Sequence, residues 1–537
     1  MIINFLIIIQ VKMKKIDTVL VGVAFLLFII VSTYKLTNAS LWYDETVEYW
    51  YSKIAVGILP YEVSNVNTVN MYQRIVSTFQ PPLYNVLMHF WLQISDSVWW
   101  FRFFGVVMGF IGMIGLYKSV QNITNNSNIA VGTIVVTTFV YRLLYYWQEC
   151  AEYCLMLASL FWTIYFWVLV VKEPNKKNIV GFTISAIIPV YSQYGAVFPV
   201  VAMGLSAFVV VWITNNNKRI KEISIAYGMA AGFAAVPLYV FFVRKQMNGQ
   251  SKANVRISEI VFDGGIVVDQ YWNFQKVFKW NILSYYSDKV AWALFIAITV
   301  VIIIMCFIGS RFIRILILVN MISWELYYMA VKFGRYSYGD FGNRYNLFFV
   351  PLWIVTFSVV LNEFLCFLKK IKVSNKLYYA FITVAIVFCL RFCAFGWTAK
   401  IQNNWTKEEA RNVASKWVEQ DCKGSNTLVY YGANSGFSYY IRSDDKFDSS
   451  WENNVTYMPD FRSKSKEEWN NYLNKIYGKI WPEQLYVIAT HVYKDELDVL
   501  SEQFIKKGYR RSDLYQTEGY LCEFSRINNK LDIGFGD

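Results

Sequence analysis

Apolar runs of membrane length recur along this chain, and they decide what it can fold into. They lie near residues 17–36, 98–119, 129–147, 151–171, 178–193, 195–213, 222–243, 290–309, 314–332, 344–363 and 377–397. About 20 apolar residues cross a bilayer as a helix, and inside the hydrocarbon every backbone polar group must bond within its own segment or barrel. A chain of 537 residues that is 56% hydrophobic fits that pattern and not a soluble core. Residues 1–399 therefore read as an all-α polytopic membrane bundle of about 11 transmembrane helices. Met13-Lys14-Lys15 directly precedes the first run and reads as a natural start, with residues 1–12 as an upstream extension.

The net charge of +13 sits mostly in short connections between runs. With the N-terminus inside, Lys172/Lys176/Lys177, Lys218/Arg219/Lys221, Arg311/Arg314 and Lys369/Lys370/Lys372/Lys376 all fall on the inner side, as positive-inside topology requires. Basicity is thereby explained without nucleic acid. The outer side then holds loop 37–97, the Gln148–Cys150 turn, loop 244–289 and the tail. Residues 81–97, opened by Pro81-Pro82, read as an interfacial helix. Counted as a span, they would put every downstream basic loop outside.

From about residue 400 the pattern changes. Thr406-x-x-Glu409 and Ser465-x-x-Glu468 are capping boxes. Leu428–Tyr431, Leu485–Ile488 and Tyr520–Phe524 read as strands, and Asp495–Lys507 as a helix stopped by Gly508. Residues 400–537 are thus expected to form an extracytoplasmic α/β domain. An exported tail would let Cys422 and Cys522 pair.

Two histidines, His89 and His491, argue against a histidine metal cluster or a Ser-His-Asp triad. Eight cysteines contain no CxxC. No metal ligand set emerges, so the expectation is no obligatory cofactor; a divalent metal is allowed but not indicated.

Leu41-Trp42-Tyr43-Asp44-Glu45 stands at the exit of the first span. Adjacent carboxylates there suit proton abstraction at a membrane surface, and equally suit capping of a following helix. Gln148-Glu149-Cys150-Ala151-Glu152-Tyr153 sets two more carboxylates at an outer junction, with Arg142 on nearly the same helical face as Glu149. Arg344-Tyr345 opens the tenth span and can bind a phosphate or act as an interfacial anchor. Arg102 can snorkel or bind phosphate, and Arg74 is a further cation in the first outer loop. Glu325, in the ninth span, needs a partner or a cavity; Arg391 is one candidate.

In order, these segments resemble the GT-C superfamily, and more narrowly the bacterial membrane glycosyltransferases related to protein O-mannosyltransferases and the aminoarabinose transferase of lipid A. Trp42-x-Asp44-Glu45 resembles the first-loop acidic motif. Gln80-Pro81-Pro82-Leu83-Tyr84 resembles HPPLY, and Trp100-Phe101-Arg102-Phe103 resembles ALRLP. Gln148-Glu149-x-x-x-Tyr153 resembles QEARxY, Tyr191-Ser192-Gln193-Tyr194 the THY turn, and Arg344-Tyr345 with Pro351 resembles RYLLPLLP. Gln80 and Gln193 stand where the family often has His, and Ala151 where it often has Arg; Arg142 is a candidate to replace that charge.

The resemblance implies a sugar on a polyprenyl phosphate as donor, and a glycan, lipid or protein as acceptor. It implies Asp44 as base with Glu45 orienting its neighbours. Arg344, Tyr345, Arg74 and Arg102 would meet the donor phosphate, and Gln80, Tyr84, Glu149, Tyr153, Gln193 and Tyr194 would support the substrate. The alternatives are a lipid or glycan transporter and a non-catalytic assembly partner. A transporter should show repeated halves and broken midplane helices, and neither is seen.

Overall fold

The computed structural model describes residues 2–53, 72, 75–76, 80–214, 217–246, 270–336, 344–402, 410–444, 446–458, 465–492, 495–517 and 519–527, with side chains from residue 18 onward except at 270–272. Packing divides the chain into two units. The first comprises Met1–Leu36, Ile75–Leu87 and Arg102–Asn403; the second comprises Thr37–Arg74, Met88–Phe101 and Asn404–Asp537. Two segments assigned by sequence to the membrane part thus pack with the tail.

In the first unit, Tyr153–Lys172, Tyr194–Ile213, Asn217–Gln246, Asp288–Ile308, Arg311–Lys332, Arg344–Lys370 and Asn375–Ile401 are long and apolar enough to cross a membrane. Val98–Thr124, which begins in the second unit, makes eight among the described residues. Ser127–Thr138 and Tyr141–Gln148 make a ninth if a pair bent by 67° is one span. The remaining two expected spans are the helix Ile2–Thr33 and the 17-residue helix Lys176–Ser192. The Leu83–Trp91 helix, at 9 residues, is too short to cross, as the interfacial reading requires.

The bend replaces a continuous helix expected over 129–147. Neither Gly nor Pro occupies the break. Its cause comes from distant segments. The Phe139 carbonyl, released from the helix ladder, accepts a hydrogen bond from the Tyr285 hydroxyl at 3.1 Å. Gly396 lies so close that a Cβ there would sit 2.5 Å from the same oxygen. Such partners let a spanning helix break without leaving its backbone unbonded. The short helix after the bend delivers Gln148 and Glu149 to a turn that packs beside Gly105; a Cβ there would meet Trp147 O at 2.6 Å.

The second unit holds a five-stranded sheet in the order β2-β1-β3-β5-β4. Its strands are β1 Thr427–Val429, β2 Val455–Tyr457, β3 Gln484–Ala489, β4 Tyr509–Gln516 and β5 Tyr520–Arg526. β1 runs parallel to β2 and β3, while β5 pairs antiparallel with β3 and β4. Three strands were expected; β2 and β4 were not. The Ser465 capping box forms around Glu468, and the Glu496–Ile505 helix is followed by Gly508 at φ +83°. The Thr406–Glu409 box falls outside the described residues.

One sheet face, with Leu485, Val487, Ala489, Cys522 and Phe524, buries against Trp469, Leu473, Leu500 and Phe504. The pleat explains why Cys422 and Cys522, a pairing the sequence left open, are not joined. Cys522 registers with Val487 and shares its face. Cys422 instead meets the Tyr486 side chain, which projects from the other face. Both cysteines are free and buried.

Candidate active site

The acidic pair opens a helix, Tyr43–Lys53, in the second unit. Glu45 is the third residue of that helix, and its carboxylate accepts the backbone N–H of Trp42 at 3.3 Å. That is the returning half of a capping box, and a carboxylate there also complements the helix dipole. Glu45 is 1% exposed. Asp44, one residue earlier, is half-buried and open to solvent. Glu45 thus takes the capping role the sequence allowed, while Asp44 beside it stays partly exposed.

The tail fixes this helix from several directions. The Thr46 hydroxyl donates to Ser435 Oγ at 2.7 Å, and Trp50 Nε1 donates to the Ser435 carbonyl at 3.0 Å. Leu41 N–H donates to the Tyr440 hydroxyl at 2.7 Å. Arg411 donates to the carbonyls of Thr37 and Asn38. Tyr49 packs edge-on against Tyr439, and burial pushes its phenol well above the usual range, so it stays protonated. Lys53 pairs with Asp96, and His89 Nδ1 lies 2.9 Å from the Ser52 carbonyl.

In the first unit several of the sequence motifs lie close together. Tyr146 interacts electrostatically with Glu149, Arg344, Arg142 and Glu152. Tyr153 does so with Glu152, Arg344, Tyr345 and Tyr146, and its ring lies 4.8 Å from that of Tyr146. Arg344 stacks over Tyr345, and Arg142 Nε donates to the Trp280 carbonyl. Gln193 donates to the Tyr336 hydroxyl at 3.0 Å and accepts Gly195 N–H at 2.6 Å. Tyr336 in turn interacts with Tyr345 and Glu152. Glu149, Glu152, Tyr153 and Gln193 are all buried. Guanidinium groups and phenol hydroxyls gathered in one region can hold an anion, because both donate hydrogen bonds to it.

Gln80 and Tyr194 join a neighbouring chain of bonds. The Tyr194 hydroxyl donates to Gln246 Oε1 at 2.8 Å, and Gln246 Nε2 donates to the carbonyls of Gln80 and Ile75. Tyr84 is fully buried against Phe104. Arg102 is held elsewhere: its guanidinium donates to the Leu36 carbonyl at 2.9 Å, near Lys400 and Lys35. The buried Lys400 donates to Gln148 Oε1, and Gln148 Nε2 donates to the carbonyls of Ser32 and Tyr34. Arg74 falls outside the described residues. Arg391 lies over the Phe395 ring. Among the described residues, no group of three or more His, Cys, Asp or Glu gathers in a way that would hold a metal.

Sequence reasoning did not single out Tyr146, Tyr336, Gln246 or Lys400. Tyr146 sits in an aromatic run that reads as interfacial belt, and Tyr336 and Gln246 follow the ends of spans. Lys400 carried a signal, a lone cation near the end of the last apolar helix, that went unused.

Residues 79–241 match the family model of dolichyl-phosphate-mannose-protein mannosyltransferases. No curated protein matches the chain. Among solved structures, ArnT from Cupriavidus metallidurans bound to undecaprenyl phosphate has the same fold, with a TM-score of 0.53 at 11% identity, covering 95% of this chain and 98% of that one. The apo state of the same protein gives 0.52 at 10% identity, with the same coverage.

Proposed function

Taking the chain as a member of the PMT/ArnT-like GT-C family, we propose that this multi-pass membrane glycosyltransferase moves a sugar from a polyprenyl-phosphate donor to an acceptor hydroxyl at the outer face of the cell membrane. Undecaprenyl phosphate bound to ArnT supports a donor of that class. Asp44 removes the acceptor proton as the hydroxyl attacks the anomeric carbon. A single in-line displacement inverts the configuration. The departing lipid phosphate needs positive charge, which Arg344 supplies with the Tyr345 hydroxyl, and for which Arg74 and Arg102 are further candidates. Glu45 does not react; it sets the helix that carries Asp44. Gln80, Tyr84, Glu149, Tyr153, Gln193 and Tyr194 shape and orient the site. The acceptor is a glycan, a lipid or a protein.

The observation that carries the assignment is the split between neighbours: a buried, capping Glu45 beside a solvent-reaching Asp44. General-base help contributes roughly 10²–10⁴-fold, so Asp44→Asn is expected to lose transfer on that scale while the protein still accumulates in the membrane. The test is mass spectrometry of lipids from wild-type, deletion and Asp44→Asn cells. A polyprenyl-phosphate sugar building up in both defective strains supports transfer and the base. Build-up in the deletion alone keeps the transferase and removes Asp44 from its role.

A further inference from the structure

Tyr431 and His491 take no part in the chemistry assigned above, yet both touch the residue that precedes Asp44. Tyr431 follows β1 and His491 follows β3, at the carboxyl ends of two parallel strands. That edge of an α/β sheet is where loops commonly present functional groups. The Tyr43 hydroxyl lies 3.0 Å from that of Tyr431. The Tyr43 ring stacks on the His491 imidazole, with centroids 4.6 Å apart and planes within 7°. One contact fixes the tip of Tyr43 and the other fixes its face.

The two tail residues are themselves held as a block. His491 has φ +51°, in the left-handed region that a non-glycine residue rarely occupies. Gly432, next to Tyr431, packs against it: a Cβ at 432 would lie 2.5 Å from the Thr490 carbonyl oxygen and 2.9 Å from His491 Cβ. Thr490 Oγ1 donates to the Gly432 carbonyl at 3.2 Å. Backbone held in an unfavoured region persists only where its surroundings over-determine it.

We propose that Tyr431 and His491 are positioning residues of the transfer step: by clamping Tyr43 they set the direction in which the Asp44 carboxylate meets the acceptor hydroxyl. This rests on Asp44 being the base. A misplacement of about 1 Å at a reacting group costs up to ~10²-fold, so a clamp that removes freedom at the first turn of the helix belongs in kcat and not in donor binding.

The experiment uses the full chain in membranes of a deletion strain, with the lipid extract of that strain as donor and its envelope fraction as acceptor. Transfer is read per folded molecule. His491→Ala and Tyr431→Phe are each expected to lower kcat roughly 10-fold with the donor KM unchanged. His491→Phe, which keeps a flat ring against Tyr43, is expected to recover most of the loss. The proposal is overturned if both first variants keep wild-type kcat per folded molecule, or if His491→Phe is as slow as His491→Ala. Wild-type transfer that Asp44→Asn abolishes, with the clamp variants normal, sinks this proposal alone. No transfer by the wild type sinks the glycosyltransferase assignment with it.

Discussion

Free thiols in a domain expected outside the cell invite oxidation, and the sheet indicates how these two escape it. Burial pushes the Cys422 thiol up to about 11 from an ordinary 9.0, and the Cys522 thiol up to about 12. The thiolate is the reactive form. At pH 8 an ordinary thiol is about one-tenth ionised, Cys422 about one-thousandth and Cys522 about one ten-thousandth. Alkylation in the folded domain should therefore run about 10²-fold slower at Cys422 and about 10³-fold slower at Cys522, before any loss of access is counted. The same shifts make stability pH-dependent. Burial favours the neutral thiols, so their contribution is fully present below about pH 9 and is lost as pH rises through about 11–12. The assay is maleimide or iodoacetamide labelling of native membranes, with peptide mass spectrometry over time and a parallel melting series from pH 8 to pH 11. Both sites should label only with unfolding, and an oxidant should yield no 422–522 cross-link. Prompt labelling of the folded tail, or recovery of that cross-linked peptide, would refute the burial argument and the register beneath it.

Three further outcomes are expected. Ser465→Ala removes a complete capping box and should cost about 1 kcal/mol of tail stability, read by thermal or urea unfolding, with transfer by the folded protein unchanged. Arg344→Lys keeps the charge but loses the planar fork, and should lower kcat/KM for the lipid donor roughly 10-fold or more; an unchanged value would remove Arg344 from phosphate binding. EDTA should leave transfer intact; loss that magnesium or manganese restores would show a metal requirement.

Much of the membrane architecture could be read from the sequence, because hydrocarbon forces each span to satisfy its own backbone and so writes its length into composition. The bend at Phe139 could not. Its cause is the Tyr285 hydroxyl and the bare face of Gly396, respectively 146 and 257 residues away along the chain. In the tail, β1, β3 and β5 carry inward runs of large apolar residues and were visible. β2 and β4 are the sheet edges, and β4, Tyr-Arg-Arg-Ser-Asp-Leu-Tyr-Gln, shows no apolar alternation for a period-based reading to catch. Of the candidate site, Glu149, Tyr153, Arg344 and Tyr345 could be found as motifs, and they meet around Tyr146 and Glu152. The resemblance implied Asp44 as base with Glu45 orienting its neighbours. What was not legible is how Glu45 is used, turning back to the Trp42 N–H on a helix that tail contacts also hold.

Those contacts also impose a schedule on biosynthesis. Thr46 and its partner Ser435 are 389 residues apart. At about 5–20 residues per second, the acidic helix leaves the ribosome roughly 20–80 s before the helix it will lean on exists. Throughout that interval Leu41, Tyr49 and Trp50, all buried in the finished protein, have nothing of the tail to cover them. A nascent chain stopped just after residue 402 carries every described spanning helix and the complete acidic motif, but none of the tail partners that orient it.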